Sequence, residues 1–363
     1  MKYKVDKSIR PVYLQIYKQI KYDIISGNYP YNAKLPSKRL LADETETSTV
    51  TIEHAYALLC DEGYVEPRER SGFFVIFRNS DGFAVSPETE IHGKIAYRHH
   101  ASPDFPFSVL AKTMRSVIGD LGDGILEKSQ NKGCYELRLA IKRYLAKNRG
   151  VDVDVEQIVI GSGAEYLYGL IIELLGRNRT YGIEYPSYKK IEQVYRAYEV
   201  SYKTLQLSND GIDSTALLHT TASILHTTPY RSFPTGVTAS ANKRHEYIRW
   251  SNAGDRYIIE DDFESEFSVS SKPEDTLFSL SDKDNVIYLN TFSKTISPSL
   301  RIGYMVLPKK LVKDFDERLG FYSCTVPTFE QYVITRLLQN GDFERHINKV
   351  RRAIRKELLN NNK

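Results

Sequence analysis

The chain has 363 residues, of which 41% are hydrophobic and 26% are charged, as expected for a folded globular protein with more than one domain. Its net charge of +4 is too small to indicate DNA binding through bulk charge, so any DNA contact would come from local basic patches. The three cysteines (Cys60, Cys134, Cys324) have no metal-ligand spacing and indicate reduced cytosolic thiols, and we expect neither a signal peptide nor a membrane-spanning segment.

Residues 1–78 predict three helices followed by a hairpin. Apolar side chains recur at helical spacing through residues 11–26. Ser37 and Ser48 are suited to cap the starts of a second helix and of a third helix over residues 49–62. Residues 64–77 then predict two strands around a charged tip. This order is typical of a winged helix-turn-helix, whose third helix enters the major groove of DNA.

The winged-helix pattern assigns DNA contacts to the starts of the second and third helices and to the hairpin. Residues at the start of the third helix would face base edges, and basic residues of the second helix and the hairpin would meet phosphates or the minor groove. The predicted DNA-binding residues are Ser37, Lys38, Arg39, Ser48, Thr49, Thr51, Arg68 and Arg70. The alternative is a small helical cap without a role in DNA binding.

A polar segment with glycine and proline, residues 79–95, predicts a linker. The predicted domains are therefore a DNA-binding domain at residues 1–78 and a second domain at residues 96–363. The adjacent pair His99 and His100 is more typical of a surface than of a ligand site, and we assign it no role.

A candidate anion site follows an amphipathic helix that begins near Gly133 and has basic residues on its predicted outer face. Residues 157–170 run from an apolar strand through Ser162, Gly163 and Ala164 into a helix. Backbone N–H groups at a helix N-terminus bind anions, although the same Gly-Ser-Gly-Ala pattern also occurs as a simple tight turn.

An acidic cluster ends the predicted strand within residues 256–267. Asp261 lies at the carboxyl end of that strand, where ligands bind in open α/β sheets. A carboxylate there can pair with a protonated pyridine nitrogen. A helix cap, a solvated acidic loop, and a divalent-metal site formed by Glu260, Asp261, Asp262 and Glu264 are the alternatives, the last without any accompanying His or Cys.

Residues 287–301 combine a buried strand with hydroxyl residues, Lys294 and then Arg301. The amine of Lys294 can form a Schiff base with an aldehyde cofactor. The hydroxyls of Thr291 and Ser293 and the guanidinium of Arg301 can hold a phosphate. Taken alone, a lysine in such a loop is more commonly a solvated surface charge.

Together these segments resemble those of MocR-type regulators, which fuse a GntR-like winged helix to a fold-type I aminotransferase-like domain that uses pyridoxal 5′-phosphate (PLP). The resemblance runs from about residue 10 to the end of the chain and is carried by the segments LPSKRLLA, TIEHAYALLCDEGYV, RSGFFV, TPYRSFPTG, IIEDDFESEF and NTFSKTISPSLRIGY.

The resemblance implies an α/β fold, with an N-terminal winged helix-turn-helix followed by the large domain of a PLP-dependent transferase. It implies that PLP forms a Schiff base with Lys294, that Asp261 pairs with its pyridine nitrogen, and that Tyr188 stacks on its ring. The residues expected to hold its phosphate are Ser162, Gly163, Ala164, Thr291, Ser293 and Arg301.

The chain departs from the family pattern at four places. Ser48-Thr49 replaces a Ser-Arg pair, Arg231-Ser232 replaces a pair such as His-Gln, and Phe263 replaces a tyrosine whose hydroxyl would bond the cofactor's ring oxygen. We also expect the C-terminal small domain to be missing. That domain carries the arginine that binds the substrate carboxylate in the family, so its absence would impair turnover.

The sequence therefore predicts a cytoplasmic, PLP-dependent, DNA-binding transcriptional regulator. It would act as a homodimer on operator DNA and respond to PLP or to a small amine or amino acid. An aminotransferase with an appended DNA-binding module and a truncated relative with an impaired ligand domain are the alternatives, so the question of enzymatic turnover stays open.

Overall fold

The computed structural model describes residues 3, 5–6, 11–68, 71–77, 105–262, 264–268 and 275–361. The predicted linker at residues 79–95, the pair His99 and His100, and the single positions Arg70 and Phe263 lie outside the described residues. The chain divides into two compact units. The first contains the described residues within 1–88 together with residues 239–246, and the second contains the remaining described residues.

The N-terminal unit has the predicted three helices and hairpin. The helices are α1 (Val12–Ile25), α2 (Lys38–Thr45) and α3 (Thr49–Asp61), and the antiparallel strands are β1 (Val65–Arg68) and β2 (Gly72–Val75). Their apolar faces form one core, in which Ile16, Leu41, Ile52 and Leu59 are fully buried. The winged-helix prediction is confirmed.

The serine caps explain why the predicted helix starts were accurate. The Ser37 hydroxyl accepts a hydrogen bond from the Leu40 backbone N–H at 3.2 Å, and the Ser48 hydroxyl accepts one from the Thr51 N–H at 3.1 Å. Each bond satisfies one of the N–H groups that a helix start leaves without a partner. The third helix ends at Asp61, one residue before the predicted boundary.

From residue 105 onward the described chain alternates helices with strands of one sheet. The helices are α4 (Phe107–Leu121), α5 (Tyr135–Arg149), α6 (Ala164–Leu175), α7 (Lys189–Ala197), α8 (Ser214–His219), α9 (Ala241–Asn252), α10 (Leu277–Leu280), α11 (Lys309–Arg318), α12 (Thr328–Gln339) and α13 (Asp342–Asn361). The strands are β3 (Ile158–Gly161), β4 (Tyr181–Tyr185), β5 (Tyr202–Ser208), β6 (Gly211–Ile212), β7 (Ile224–Thr227), β8 (Tyr257–Asp261), β9 (Val286–Thr291) and β10 (Gly303–Val306).

Within the described chain these strands form an eight-stranded sheet in the order β3-β10-β9-β8-β7-β4-β5-β6. The strands β5, β4, β7, β8 and β9 are mutually parallel, whereas β10 is antiparallel to both of its neighbours. The carboxyl ends of β3, β4, β7, β8 and β9 therefore share one edge, and β10 begins at that same edge. Loops that follow parallel strands at such an edge are the usual place for a ligand.

Apolar cores cover both faces of this sheet. Along β9, Ile287 and Leu289 pack into one core while the intervening Tyr288 packs into the other, as the alternation of side chains in a strand requires. The exposed face of α5 is basic as predicted, with Arg143 and Lys147 exposed, whereas the side chains of Arg138 and Arg149 are buried. Among the described helices, none is long and apolar enough to cross a lipid bilayer.

Candidate functional site

A cavity of about 320 Å³ opens at the edge of the sheet where the parallel strands end. It brings together residues from five separate segments of the chain. Its lining residues are Ala164, Glu165, Tyr168, Tyr188, Ile191, Thr228, Phe233, Asp261, Thr291, Ser293, Lys294 and Arg301. Most of the residues predicted for cofactor binding are in this list, and Ser162 and Gly163 directly precede Ala164 in the chain.

Asp261 is the last residue of β8, and 3% of its surface is exposed. One carboxylate oxygen, Oδ2, accepts a hydrogen bond from the Tyr168 hydroxyl and lies 3.6 Å from Nε2 of His226. The other oxygen, Oδ1, is buried and has no hydrogen-bond partner in the described structure. Because burying an unpaired acceptor is costly, this oxygen is suited to a donor that enters the cavity.

His226 lies on the neighbouring strand β7 and is almost completely buried. Its Nδ1 atom is 2.7 Å from the Tyr195 hydroxyl, and its ring makes an edge contact with Tyr168. Asp261 therefore has one carboxylate oxygen held by the Tyr168 hydroxyl and close to His226, while Oδ1 has no partner among the described residues.

Lys294 follows β9, and 34% of its side chain is exposed. Its Nζ atom donates a hydrogen bond to Oε1 of Glu264 at 2.5 Å. Glu264 is buried, so the pair holds the amine at the cavity while one face of the lysine remains accessible. Ser293, one residue earlier, donates a longer hydrogen bond of 3.4 Å to the Leu300 carbonyl across the loop.

The acidic cluster around Asp261 does not form the alternative metal site. Glu260 accepts hydrogen bonds from the backbone N–H groups of Leu277 and Phe278, and Asp262 pairs with Arg149 at 2.7 Å. Glu264 is paired with the lysine at the cavity. The carboxylates therefore have separate partners, and no group of three or more potential metal ligands occurs among the described residues.

The N-terminus of α6 forms the second end of the cavity. Arg301 packs over the backbone of Gly163, since a Cβ atom built on this glycine would lie 2.9 Å from Nη2 of the guanidinium. Gly163 also has a φ of +89°, which a side chain would strain. A guanidinium and a helix N-terminus, each of a kind that can bind an anion, thus lie side by side at this place in the cavity wall.

Two aromatic rings border the cavity between these ends. Tyr188, the residue before α7, is 39% exposed and makes an edge contact with Phe233 at a centroid distance of 6.1 Å.

Ser232, at one of the departures from the family pattern, donates its hydroxyl to Oε2 of Glu184 at 2.5 Å. Burial raises the pKa of Glu184 to about 7.

Of the predicted DNA-binding residues, those that the structure describes lie at the starts of α2 and α3 and in β1. Ser37, Arg39, Ser48 and Thr49 are exposed, and Thr51 is half-buried. Two of the predicted cations already have partners: Lys38 pairs with Glu53 at 2.7 Å, and Arg68 pairs with Glu66 at 2.8 Å. Arg39 is exposed at the start of α2 and forms no ion pair with the described residues, so it can contact a phosphate without giving up such a partner.

Sequence reasoning did not identify Tyr168, His226, Glu165, Thr228 or Phe233. Tyr168 lies one helical turn after Ala164, on the buried face of α6, and this spacing is the sequence feature that could have identified it. The relevance of His226 depends on the pairing of β7 with β8, which no local pattern reveals.

Comparison with known families gives two matches to this chain. Residues 101–359 match the model of aminotransferase class I and II proteins, and residues 12–75 match that of the gntR family of bacterial regulatory proteins. Together these matches cover both described units.

Curated relatives match nearly the whole chain. An uncharacterized HTH-type transcriptional regulator of Bacillus subtilis, YdeL, is 32% identical over 359 residues, which are 96% of this chain and 77% of the relative. The HTH-type pyridoxine biosynthesis transcriptional regulator PdxR of Corynebacterium glutamicum is 28% identical, with 94% of this chain and 76% of that protein covered. The probable rhizopine catabolism regulatory protein MocR of Rhizobium meliloti is 25% identical over 94% of this chain and 74% of its own length.

Solved structures of aminotransferases match the second unit. The kynurenine aminotransferase of Pyrococcus horikoshii superposes with a TM-score of 0.63 at 26% identity, and the match covers 69% of this chain and 65% of that one. The multiple substrate aminotransferase of Thermococcus profundus gives a TM-score of 0.62 at 26% identity, over 69% of this chain and 66% of that chain. The matched region thus spans about two thirds of the length of these enzymes.

Proposed function

The chain belongs to the aminotransferase class I and II family and carries a gntR-family domain in the manner of MocR-type regulators, and from this we propose that it is a PLP-dependent, DNA-binding transcriptional regulator. The observation that carries the ligand half of this proposal is the cavity that Lys294 and Asp261 share. The DNA-binding part of the proposal rests on the winged helix.

The residues at the cavity fit PLP at three separate points. The unpartnered Oδ1 of Asp261 can accept a hydrogen bond from a protonated ring nitrogen. The amine of Lys294 can condense with an aldehyde and release water. Arg301 and the first turn of α6 can hold a phosphate. When bound, PLP supplies an aldehyde that takes up amines and a protonated ring that withdraws electrons.

Each protein group has a distinct task in this arrangement. Lys294 anchors the aldehyde end, and Glu264 holds its amine at the cavity. Asp261, oriented by Tyr168, sets the position and the protonation of the ring nitrogen. Tyr188 lines the cavity between these ends, where its flat face can pack on the ring.

We propose that the effector is PLP or a small amine or amino acid, because a free amine can displace Lys294 from the aldehyde. The DNA partner would be an operator contacted by α3 in the major groove, with Arg39 on a phosphate. Because helix-turn-helix dimers read two half-sites, we propose that the chain acts as a homodimer, in the cytoplasm, where such DNA is found.

A second candidate function is PLP-dependent amino transfer. It is favoured by the same lysine and aspartate and by the likeness of the second unit to aminotransferases. Conversion of an added amino acid to its keto acid over many turnovers, measured on PLP-loaded protein, separates an enzyme from a regulator that binds its effector without turnover.

The ligand half is tested by the absorption of the purified chain after addition of PLP and removal of the excess. We expect a retained visible band that borohydride removes and that a Lys294→Ala variant lacks. The matched control is Lys283→Ala, an exposed lysine whose Nζ bonds the Asn252 carbonyl away from the cavity. A band that persists in Lys294→Ala, or that fails to form in the unmodified chain, would contradict the proposal.

A further inference from the structure

The anion-binding end of the cavity contains a carboxylate of the protein itself. Glu165 is the second residue of α6 and lines the cavity. Its Oε2 atom accepts a hydrogen bond from Nη2 of Arg301 at 2.6 Å, and its Oε1 atom accepts one from Nζ of Lys190 at 2.9 Å. One carboxylate thus bridges two cations, Arg301 and Lys190.

The contact with Glu165 involves the same group that packs over Gly163. Nη2 of Arg301 is the atom closest to a Cβ built on this glycine, and it is also the donor to Glu165. A phosphate bound between the first turn of α6 and Arg301 would therefore meet a guanidinium that already has an anionic partner. About half of the Arg301 side chain is exposed (51%), so the arginine does not need this carboxylate to remain in a folded structure.

Glu165 is negatively charged near neutral pH. Burial acts to raise its pKa, but hydrogen bonds from Lys190, from its own backbone N–H and from Arg301 together outweigh burial and lower the pKa to about 2. A phosphate monoester carries a charge between −1.5 and −2 at neutral pH. Like charges at one binding position oppose each other, so the carboxylate must leave the guanidinium or reduce its net attraction for the phosphate.

We propose that Glu165 determines affinity and specificity in the ligand site, by competing with the ligand's phosphate for Arg301. The proposal rests on the function proposed above and adds a consequence for regulation. The carboxylate lowers the affinity for a phosphorylated ligand but not for its unphosphorylated counterpart. The site then releases a phosphorylated ligand more readily than the same site without this carboxylate would, which favours a response to the PLP concentration.

An orienting role for Glu165 predicts the opposite result. If the carboxylate holds Arg301 and Lys190 in place for the phosphate, its removal would weaken phosphate binding. The sign of the change in affinity therefore distinguishes competition from orientation.

The test compares PLP with pyridoxal, which has the aldehyde and the ring but no phosphate, on the full chain and on Glu165→Gln. The dissociation constant is measured by titration of the visible band. We expect the variant to bind PLP at least tenfold more tightly, equivalent to about 1.4 kcal/mol, and to bind pyridoxal within twofold of the unmodified chain. Because the contact is partly exposed, the gain should shrink as the salt concentration rises.

Glu173→Gln is the matched control, since Glu173 lies on the same helix and also pairs with an arginine, Arg177, away from the cavity. Both dissociation constants should be unchanged in this variant. Equal affinity for PLP in Glu165→Gln and the unmodified chain, or weaker binding in the variant, would overturn the proposal.

A direct measurement with inorganic phosphate separates failure of this inference from failure of the proposed function. Phosphorus NMR line broadening reports phosphate binding even if no Lys294-dependent band forms. Tighter phosphate binding by Glu165→Gln supports competition in either case. Equal or weaker phosphate binding refutes it, whatever the outcome of the test on Lys294.

Discussion

Replacement of Asp261 by asparagine is the sharpest test of how the cavity would hold a cofactor ring. The hydrogen bond from Tyr168 to Oδ2 can be kept by the oxygen of the asparagine amide. The NH₂ group then takes the position of Oδ1, the buried acceptor that has no partner among the described residues. Asp261→Asn therefore changes an acceptor into a donor with almost no change in volume.

The expected loss of affinity follows from the type of bond removed. A hydrogen bond to a charged group contributes about 1.5–3 kcal/mol. This corresponds to a roughly 10- to 150-fold increase in the dissociation constant for PLP. The side chain is buried, so solvent screening would not reduce the effect appreciably.

The assay is a titration of Asp261→Asn with PLP, followed by the visible band and by borohydride trapping at Lys294. Asp282→Asn provides the control, because Asp282 accepts a hydrogen bond from Asn252 at an exposed position away from the cavity. Unchanged affinity in Asp261→Asn would refute the assignment of Oδ1 as the acceptor for the ring nitrogen. A fall in affinity that is matched by Asp282→Asn would indicate a general loss of structure.

Three further predictions concern DNA binding, stability and pH. Arg39→Ala should weaken operator binding and reduce the slope of log K against log salt by about 1, measured by fluorescence anisotropy. Arg149→Met should destabilise the second unit by about 3–5 kcal/mol in urea unfolding followed by the fluorescence of the single tryptophan, because Asp262 would stay buried without its cation. The contribution of Glu184 to stability should fall by up to about 1.4 kcal/mol per pH unit as pH rises from about 4.3 to 7, and Glu184→Gln should remove this contribution from the slope of stability against pH.

The sign of the pH effect follows from the pKa of Glu184, which burial raises to about 7 in the folded chain. The folded state then holds a proton that the unfolded state releases above its own pKa of about 4.3, so stability is greatest below that pH and is lost toward 7. A Glu184→Gln variant with an undiminished pH dependence would assign the effect to other groups.

Variants in exposed ion pairs serve as controls for Arg39→Ala and Arg149→Met. Lys313→Ala, on a largely exposed side chain of α11, should leave the salt slope of DNA binding unchanged. Arg177→Met should leave the urea midpoint unchanged, because its pair with Glu173 is solvent-exposed. An Arg149→Met variant as stable as Arg177→Met would show that the buried pair contributes no net stability.

The predicted site residues were those whose chemistry is visible at the end of an apolar strand. Asp261, Lys294 and the segment around Gly163 each follow such a strand, and parallel strands bring their carboxyl ends to one edge. The helix starts in the first unit were accurate for a similarly local reason, since Ser37 and Ser48 cap the turns that they begin. The sequence predicts a feature well where that feature depends on residues that are neighbours in the chain.

The residues that were missed depend on sheet order and on partners far along the chain. Tyr168 and Asp261 are 93 positions apart and meet only because α6 packs against the sheet. The basic residues of α5 do not all lie on its exposed face, because the buried carboxylate of Asp262 holds the side chain of Arg149 inside. Glu165 gave no signal as a site residue, because its role follows from the position of Arg301.

The order of strands in the sheet also affects the timing of folding during synthesis. The helices and hairpin of the first unit pair with near neighbours, as α1 does with α3 and β1 with β2, so these contacts can form soon after residue 77 leaves the ribosome. By contrast, the strand ending at Gly161 pairs with the strand beginning at Gly303, and the intervening chain must be made first. Translation therefore lets the contacts among these helices and the hairpin form early, whereas the strands that border the cavity pair late, and contacts so distant in sequence form slowly.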